Sequence, residues 1–207
     1  MIEFNDKQIL ILQIAEKLFA ENGFDGTLIR DIAKDANVNI AMISYYFGSK
    51  EKLLERLIFF RSQDLRIKLK NLFEEAIDPI QKIEKFIEYY IEKIDSNRNM
   101  YQILHFEITN KRRAMDLEAF TEVKKGNLQI LEKIINEGQQ QKCFKTNIQV
   151  PLITPTILGT YFNFVTNKPF FENILGLDSE DKFNTYIKNE LTNHIKQTIK
   201  SLLIYEN

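Results

Sequence analysis

Apolar residues recur at helical spacing along the chain, beginning with Ile11, Ile14, Ala15, Leu18 and Phe19. This row predicts a helix from Lys7 to Glu21, ended by Asn22-Gly23, with Phe24 plugging the junction that follows. Ile32, Ala33 and Ala36, at i, i+1 and i+4, predict a short second helix from about Leu28 to Ala36, with Thr27 placed to cap it. A third runs from about Asn39 to Phe47, with Ile43, Tyr46 and Phe47 turned inward. Between them Asn37 tolerates the left-handed conformation that ends one helix and starts another at a steep angle, and Val38 fills the corner. The small Ala33 lets the two axes cross closely. Gly48-Ser49 makes the next break; Ser49 caps a helix with Glu51 in its first turn and Leu53, Leu54, Leu57, Ile58 and Leu65 along it, reaching Phe73.

The same reading continues downstream. Asp78-Pro79 pairs a capping acid with a first-turn proline, predicting a helix to Asp95 that buries Ile80, Ile83, Ile87, Tyr90, Ile91 and Ile94. Further helices are expected over Asn99–Asn110 and about Met115–Gln141, with 142–149 as an irregular connection. Either Pro151 or Pro155 starts the next helix, which ends near Asn167. Asp178-Ser179 opens the last, with Phe183, Ile187, Leu191, Ile195, Ile199 and Leu202 along it. The expected fold is all-α: an N-terminal helix-turn-helix domain over 1–50 and a larger helical domain over 51–207.

Composition narrows the class. Seven Gly and four Pro in 207 residues favour long helices, and 44% hydrophobic with 28% charged residues fits a globular protein. The single Cys143 cannot form an internal disulfide, so a cytoplasmic location is expected. No run approaches the roughly 20 apolar residues of a membrane span, and Asp6, Lys7, Gln13, Glu16 and Lys17 interrupt the first helix too often for a signal peptide. The formal net charge is −1, and residues 1–50 carry five bases against seven acids. Yet Ala36 to Ser49 holds no charged side chain, so this stretch, flanked by Arg30 and Lys50, does not repel phosphates.

Two short helices around a tight turn also occur in bundles that never touch DNA. The outward positions of the second decide the reading: Asn39, Ile40, Ala41, Ser44 and Tyr45 are small, polar or aromatic, where a solvated face would carry Lys and Glu. Outward Ile and Ala beside Ser suit thymine methyls and base edges. Gly23-Phe24, Thr27, Arg30-Asp31-Ile32-Ala33, Ala36-Asn37-Val38, Tyr45-Tyr46-Phe47 and Ser49-Lys50-Glu51-Lys52-Leu53-Leu54 together resemble the DNA-binding domain of the tetracycline-repressor (TetR) family of bacterial transcription regulators. The resemblance covers about residues 10–58. It implies phosphate contacts from Thr27, the hydroxyls of Tyr45 and Tyr46 and the ammonium of Lys50, base-edge positions for Ile40, Ala41 and Ser44, and either target for Arg30. Tyr46 is open to a packing role as well. Asn37 stands where the family often has glycine, and Met42 and Ser44 where Thr and Tyr are common, so no operator sequence carries over.

For the rest of the chain the resemblance implies a ligand-binding and dimerising domain, and hence a homodimeric regulator, a repressor released from a pseudo-palindromic double-stranded operator by a small, largely apolar effector. Tyr90, Tyr101, His105, Phe106 and Phe162 are candidate ligand contacts, with Tyr89, Asn110 and Phe164 behind them; each is equally readable as packing. Leu158, Phe162, Ile187, Leu191 and Ile195 are the candidate dimer contacts, Gly159 permitting close approach. His105 and His194 lie on different helices without ligand-spaced partners, so neither a metal site nor another cofactor is expected. An enzyme needs a nucleophile–base pair that two histidines and one cysteine do not offer at useful spacing. A helical carrier of hydrophobic ligands is the competing binding-protein reading, and duplex binding discriminates the two.

Overall fold

The computed structural model describes residues 4–110 and 118–205, with side-chain positions for all of these except 105–110 and 119. Every regular element among them is helical. Asn5 opens α1 (Asp6–Gly26) with a capping box: its side chain accepts from the Gln8 N–H and the Gln8 side chain accepts from the Asn5 N–H, both at 3.0 Å. Gly23 (φ 71°, ψ 168°) breaks the helical conformation inside α1, at the expected stop, and Phe24 beyond it is buried, stacked on Phe19 at 5.2 Å. α2 (Ile29–Asp35) and α3 (Ile40–Phe47) follow, then α4 (Lys50–Glu74). Thr27 does not cap α2. Leu28 occupies that position without a side-chain bond, because the Thr27 hydroxyl is turned back toward α1.

The chain forms two compact units. The first takes residues up to Asp64 together with Ser96–Val123, and so includes α6 (Arg98–Asn110). Ile11, Leu12 and Phe19 of α1, Ile32 of α2, Ile43 and Phe47 of α3, and Leu53, Leu54 and Leu57 of α4 share one core with Met100 and Leu104. The 1–50 segment therefore relies on the start of α4 and on α6 to close its core. Glu16 of α1, almost buried, accepts from the Arg61 guanidinium of α4, with Nε at 2.8 Å. Removing Arg61 would strand the almost buried Glu16 carboxylate, a loss of about 3–5 kcal/mol.

The second unit takes Leu65–Asp95 and the chain from Lys124. It holds α5 (Pro79–Asp95), most of α7 (Glu118–Gln140), α8 (Val150–Thr166), α9 (Lys168–Leu175), α10 (Glu180–Tyr186) and α11 (Thr192–Leu203). Asp78 caps α5, its carboxylate accepting from the Gln81 N–H at 3.0 Å. Pro151 stands in the first turn of α8 and Pro155 lies inside the helix, which settles the start near 150. Pro155 faces solvent, where the carbonyl it leaves without a helical donor can be hydrated. The short α9 has no counterpart in the hydrophobic pattern, since none of its residues is buried. A π-helical turn, Ile187–Leu191, joins α10 to α11, and the Ser179 hydroxyl caps the run. No helix among the described residues is long and apolar enough to cross a membrane.

Candidate nucleic-acid interface

The turn between α2 and α3 is built as its residue types require. Asn37 sits at φ 50°, in the left-handed region, and the Val38 N–H reaches back to the Ala33 carbonyl at 2.9 Å. Asn39 then caps α3, its side-chain oxygen accepting from the Ala41 N–H at 2.9 Å. That bond occupies one end of the amide and leaves the NH2 end facing solvent on an exposed residue. Ile43 and Phe47 anchor α3 in the core, so rotation of the helix is fixed.

The face opposite that anchor presents Ile40, Ala41, Ser44 and Tyr45, all exposed, with Tyr45 84% open to solvent. Tyr46 packs partly against the core beside Phe47, its ring centroid 5.4 Å from that of Tyr45. An exposed isoleucine on an eight-residue helix without a charged side chain is poorly suited to permanent contact with water. It is well suited to a groove lined by thymine methyls. Arg30 on α2 is largely exposed, its Nε 3.8 Å from the Asp31 carboxylate, a contact too loose and wet to hold it.

Thr27 and Lys50 stand differently. Thr27 is 1% exposed, and its hydroxyl points at the carbonyls of Leu18 (2.9 Å) and Gly23 (2.8 Å). The expectation of a Thr27 phosphate contact is corrected on that ground: the single hydroxyl hydrogen is spent on α1. The Lys50 ammonium donates to the Phe24 and Thr27 carbonyls, each at 2.9 Å, and lies 4.3 Å from the Phe24 ring centroid. It ties the end of α1 to the start of α4 and retains one N–H for a phosphate.

The candidate ligand contacts are distributed over both units. Tyr101 packs against the core of the first unit. Tyr90 is buried in the second, its hydroxyl interacting with Asn127 and Thr154, and burial pushes its pKa up to about 12. Phe162 is half-buried and edge-on to Tyr161, whose hydroxyl donates to Asp95 at 2.8 Å. Phe164 is stacked among Phe171, Phe183 and Tyr186 as core. Tyr89 is half-exposed under the Lys68 ammonium. The side chains of His105, Phe106 and Asn110 lie outside the described residues. Sequence reasoning missed Asn127 and Thr154; the one available signal was a polar residue at 127 on an otherwise apolar stripe of α7.

The dimer candidates divide as well. Leu158 and Phe162 are half-buried, but Ile187, Leu191 and Ile195 are at most 6% exposed within the protomer. Those three are corrected to core residues: the unit's own helices already cover them. What α8 shows to solvent instead is Pro151, Leu152, Pro155, Gly159 and Asn163, on a helix with no charged residue from Val150 to Thr166. On α11, Lys196 and Lys200 pair with Glu88 and Glu84 of α5, and Asn193, His194, Gln197, Ser201 and Leu202 remain outside.

Two family models match successive stretches of the chain. Residues 11–57 match the family model described as bacterial regulatory proteins, tetR family. Residues 63–177 match that of the YsiA-like protein C-terminal region. The HTH-type transcriptional repressor NicS of Pseudomonas putida is 29% identical over 186 residues, covering 83% of this chain and 82% of its own. The fatty acid metabolism regulator protein of Bacillus subtilis is 26% identical over 160 residues, covering 77% and 82%. Among solved structures, FadR from Bacillus subtilis in complex with stearoyl-CoA superposes with a TM-score of 0.73 at 23% identity, over 93% of this chain and 97% of that one, a likeness of fold.

Proposed function

The chain belongs to the TetR family of bacterial regulatory proteins, and from that premise we propose that it is a homodimeric, effector-released repressor. It is a DNA-binding transcription regulator and not an enzyme. The observation that carries the reading is the exposed, uncharged face of α3, with Ile40, Ala41, Ser44 and Tyr45 on a helix whose rotation Ile43 and Phe47 fix.

In this reading residues 1–50 supply the DNA-reading surface. Ile40, Ala41 and Ser44 meet base edges in the major groove; Tyr45, the outer edge of Tyr46, the Asn39 amide, Arg30 and the remaining N–H of Lys50 meet phosphates or neighbouring bases. Residues 51–207 carry dimerisation and the effector response. The uncharged outer face of α8, with Leu152, Leu158, Gly159 and Phe162, together with Leu202 of α11, supplies the dimer contact. Two copies then present α3 to successive major grooves about 34–36 Å apart. The effector is a small, lipid-like molecule, in keeping with relatives named for fatty acid metabolism and with a fold neighbour that holds stearoyl-CoA. It releases the operator by favouring a dimer whose reading heads are differently spaced. A cytoplasmic location follows from that role.

Selection of bound sequences from random duplex DNA tests this reading. A pseudo-palindrome with half-sites one helical turn or a multiple apart is expected. Recovery of single half-sites indifferent to spacing, or of no sequence at low salt, overturns it.

A further inference from the structure

Among the described residues two buried side-chain polar atoms lack a hydrogen-bond partner, Gln63 Nε2 and Asn127 Oδ1. Gln63 is only half-buried, and a small rotation brings its amide to water. Asn127 has no such escape: the residue is 5% exposed and stands on the inward stripe of α7, in register with Leu131 and Ile134 one and two turns on. The hydroxyl of Tyr90 on α5 interacts with Asn127 and with Thr154 of α8. Polar side chains from three helices of the second unit thus meet here, beside an acceptor with nothing to accept from.

The surroundings make that acceptor significant. Ile87 and Ile91 flank Tyr90 on α5, and Ile153 and Ile157 flank Thr154 on α8, all at most 3% exposed. A leucine at 127 would continue the stripe without burying a carbonyl oxygen. A buried carbonyl oxygen without a donor costs stability, which makes such atoms rare in folded proteins. We propose that Asn127 Oδ1 is the polar anchor of the effector site, receiving a hydrogen bond from a hydroxyl or amide N–H carried by an otherwise apolar, lipid-like molecule. Tyr90 is a positioning residue, its hydroxyl interacting with the Asn127 side chain. The inference rests on the effector-responsive reading above and narrows the effector to molecules that bring a donor into the core.

A matched pair of probes tests it. 1-Decanol and decyl methyl ether share their chain and their acceptor oxygen, and only the alcohol donates. Their affinities for the full-length protein are measured by calorimetry, with thermal unfolding alongside. The alcohol is expected to bind at least about tenfold more tightly, the size of effect one buried hydrogen bond gives. In Asn127→Leu that preference should fall to about onefold, with the ether bound as before and the melting temperature unchanged or raised. Equal binding of the two by wild type, or a preference that survives in Asn127→Leu, overturns the anchor. Failure of both probes to bind overturns the ligand class. Should Asn127→Leu fail to fold, Asn127→Ala, which removes the acceptor, gives the same comparison. Binding of the wild-type protein to the selected duplex is scored separately, so loss of the regulatory reading and loss of the anchor are told apart.

Discussion

Thr27 carries one hydroxyl hydrogen, and two main-chain carbonyls compete for it. Thr27→Val keeps the shape and removes the donor, leaving buried carbonyls short of a partner; a loss of about 1–2 kcal/mol in urea unfolding is expected. Lys50→Met should cost about 1–3 kcal/mol, because a charged donor to the Phe24 and Thr27 carbonyls disappears. Lys50 is for that reason a poor probe of DNA contact. Tyr45→Ala is a clean one: at 84% exposure it should leave the urea midpoint in place while lowering affinity for the selected duplex. Tyr90 gives a pH signature. Its pKa is about 12 in the folded protein because burial disfavours the phenolate, against 10.0 ordinarily. Above pH 10 the unfolded chain releases this proton while the folded chain keeps it, so stability present below pH 10 falls as pH rises toward 12, by about 2–3 kcal/mol in all. Denaturant titrations at pH 9 and pH 12 should show that fall, and in Tyr90→Phe it should be smaller by this amount.

At the scale of elements, α3 is aimed by the two breaks that flank the helix-turn-helix and by the turn inside it. Gly23 sits at φ 71°, ψ 168°, a region essentially reserved for glycine, with nothing within 4 Å of the position a Cβ would take. Gly23→Ala should therefore cost about 1–3 kcal/mol through backbone strain alone, read as a lower thermal midpoint. Asn37 at φ 50° is the opposite case: Asn37→Gly should shift stability by less than about 1 kcal/mol, since both residues reach that conformation. The starts and stops of these helices were legible in the residues, because caps, prolines and glycines act locally. Asp78-Pro79 and Ser179 perform as their types suggest. The short α9 was not legible: Lys168–Leu175 buries no side chain, and periodicity reports burial.

For the whole molecule, the function proposed needs two copies. The outer face of α8 offers the test. Gly159 is exposed, and a Cβ there meets nothing within 4 Å, so Gly159→Arg should leave the protomer folded. Placed on an uncharged contact surface, the new guanidinium should shift sedimentation from dimer to monomer and reduce operator affinity at least about tenfold, since one half-site binds without its partner. A dimer that persists with full DNA affinity would move the contact elsewhere.

The sequence by itself determined the helices, the left-handed turn at Asn37 and the uncharged outer face of α3, because capping, backbone conformation and periodicity are written in neighbouring residues. It identified the family for the same reason: the spacing from Gly23 to Leu54 lies within a single stretch of chain. Only the tertiary structure decided which polar groups were already spent. Thr27 looks like a phosphate ligand until the carbonyls of Leu18 and Gly23 are brought beside it, and Lys50 has one N–H left once Phe24 and Thr27 have taken the others. Ile187, Leu191 and Ile195 look like an interface until the helices of their own unit cover them. Asn127, silent in the pattern, acquires its interest when the fold sets it beside Tyr90 and leaves its Oδ1 buried without a donor. Hydrogen-bond satisfaction and burial depend on what the fold brings together from distant parts of the chain, and local pattern does not encode them.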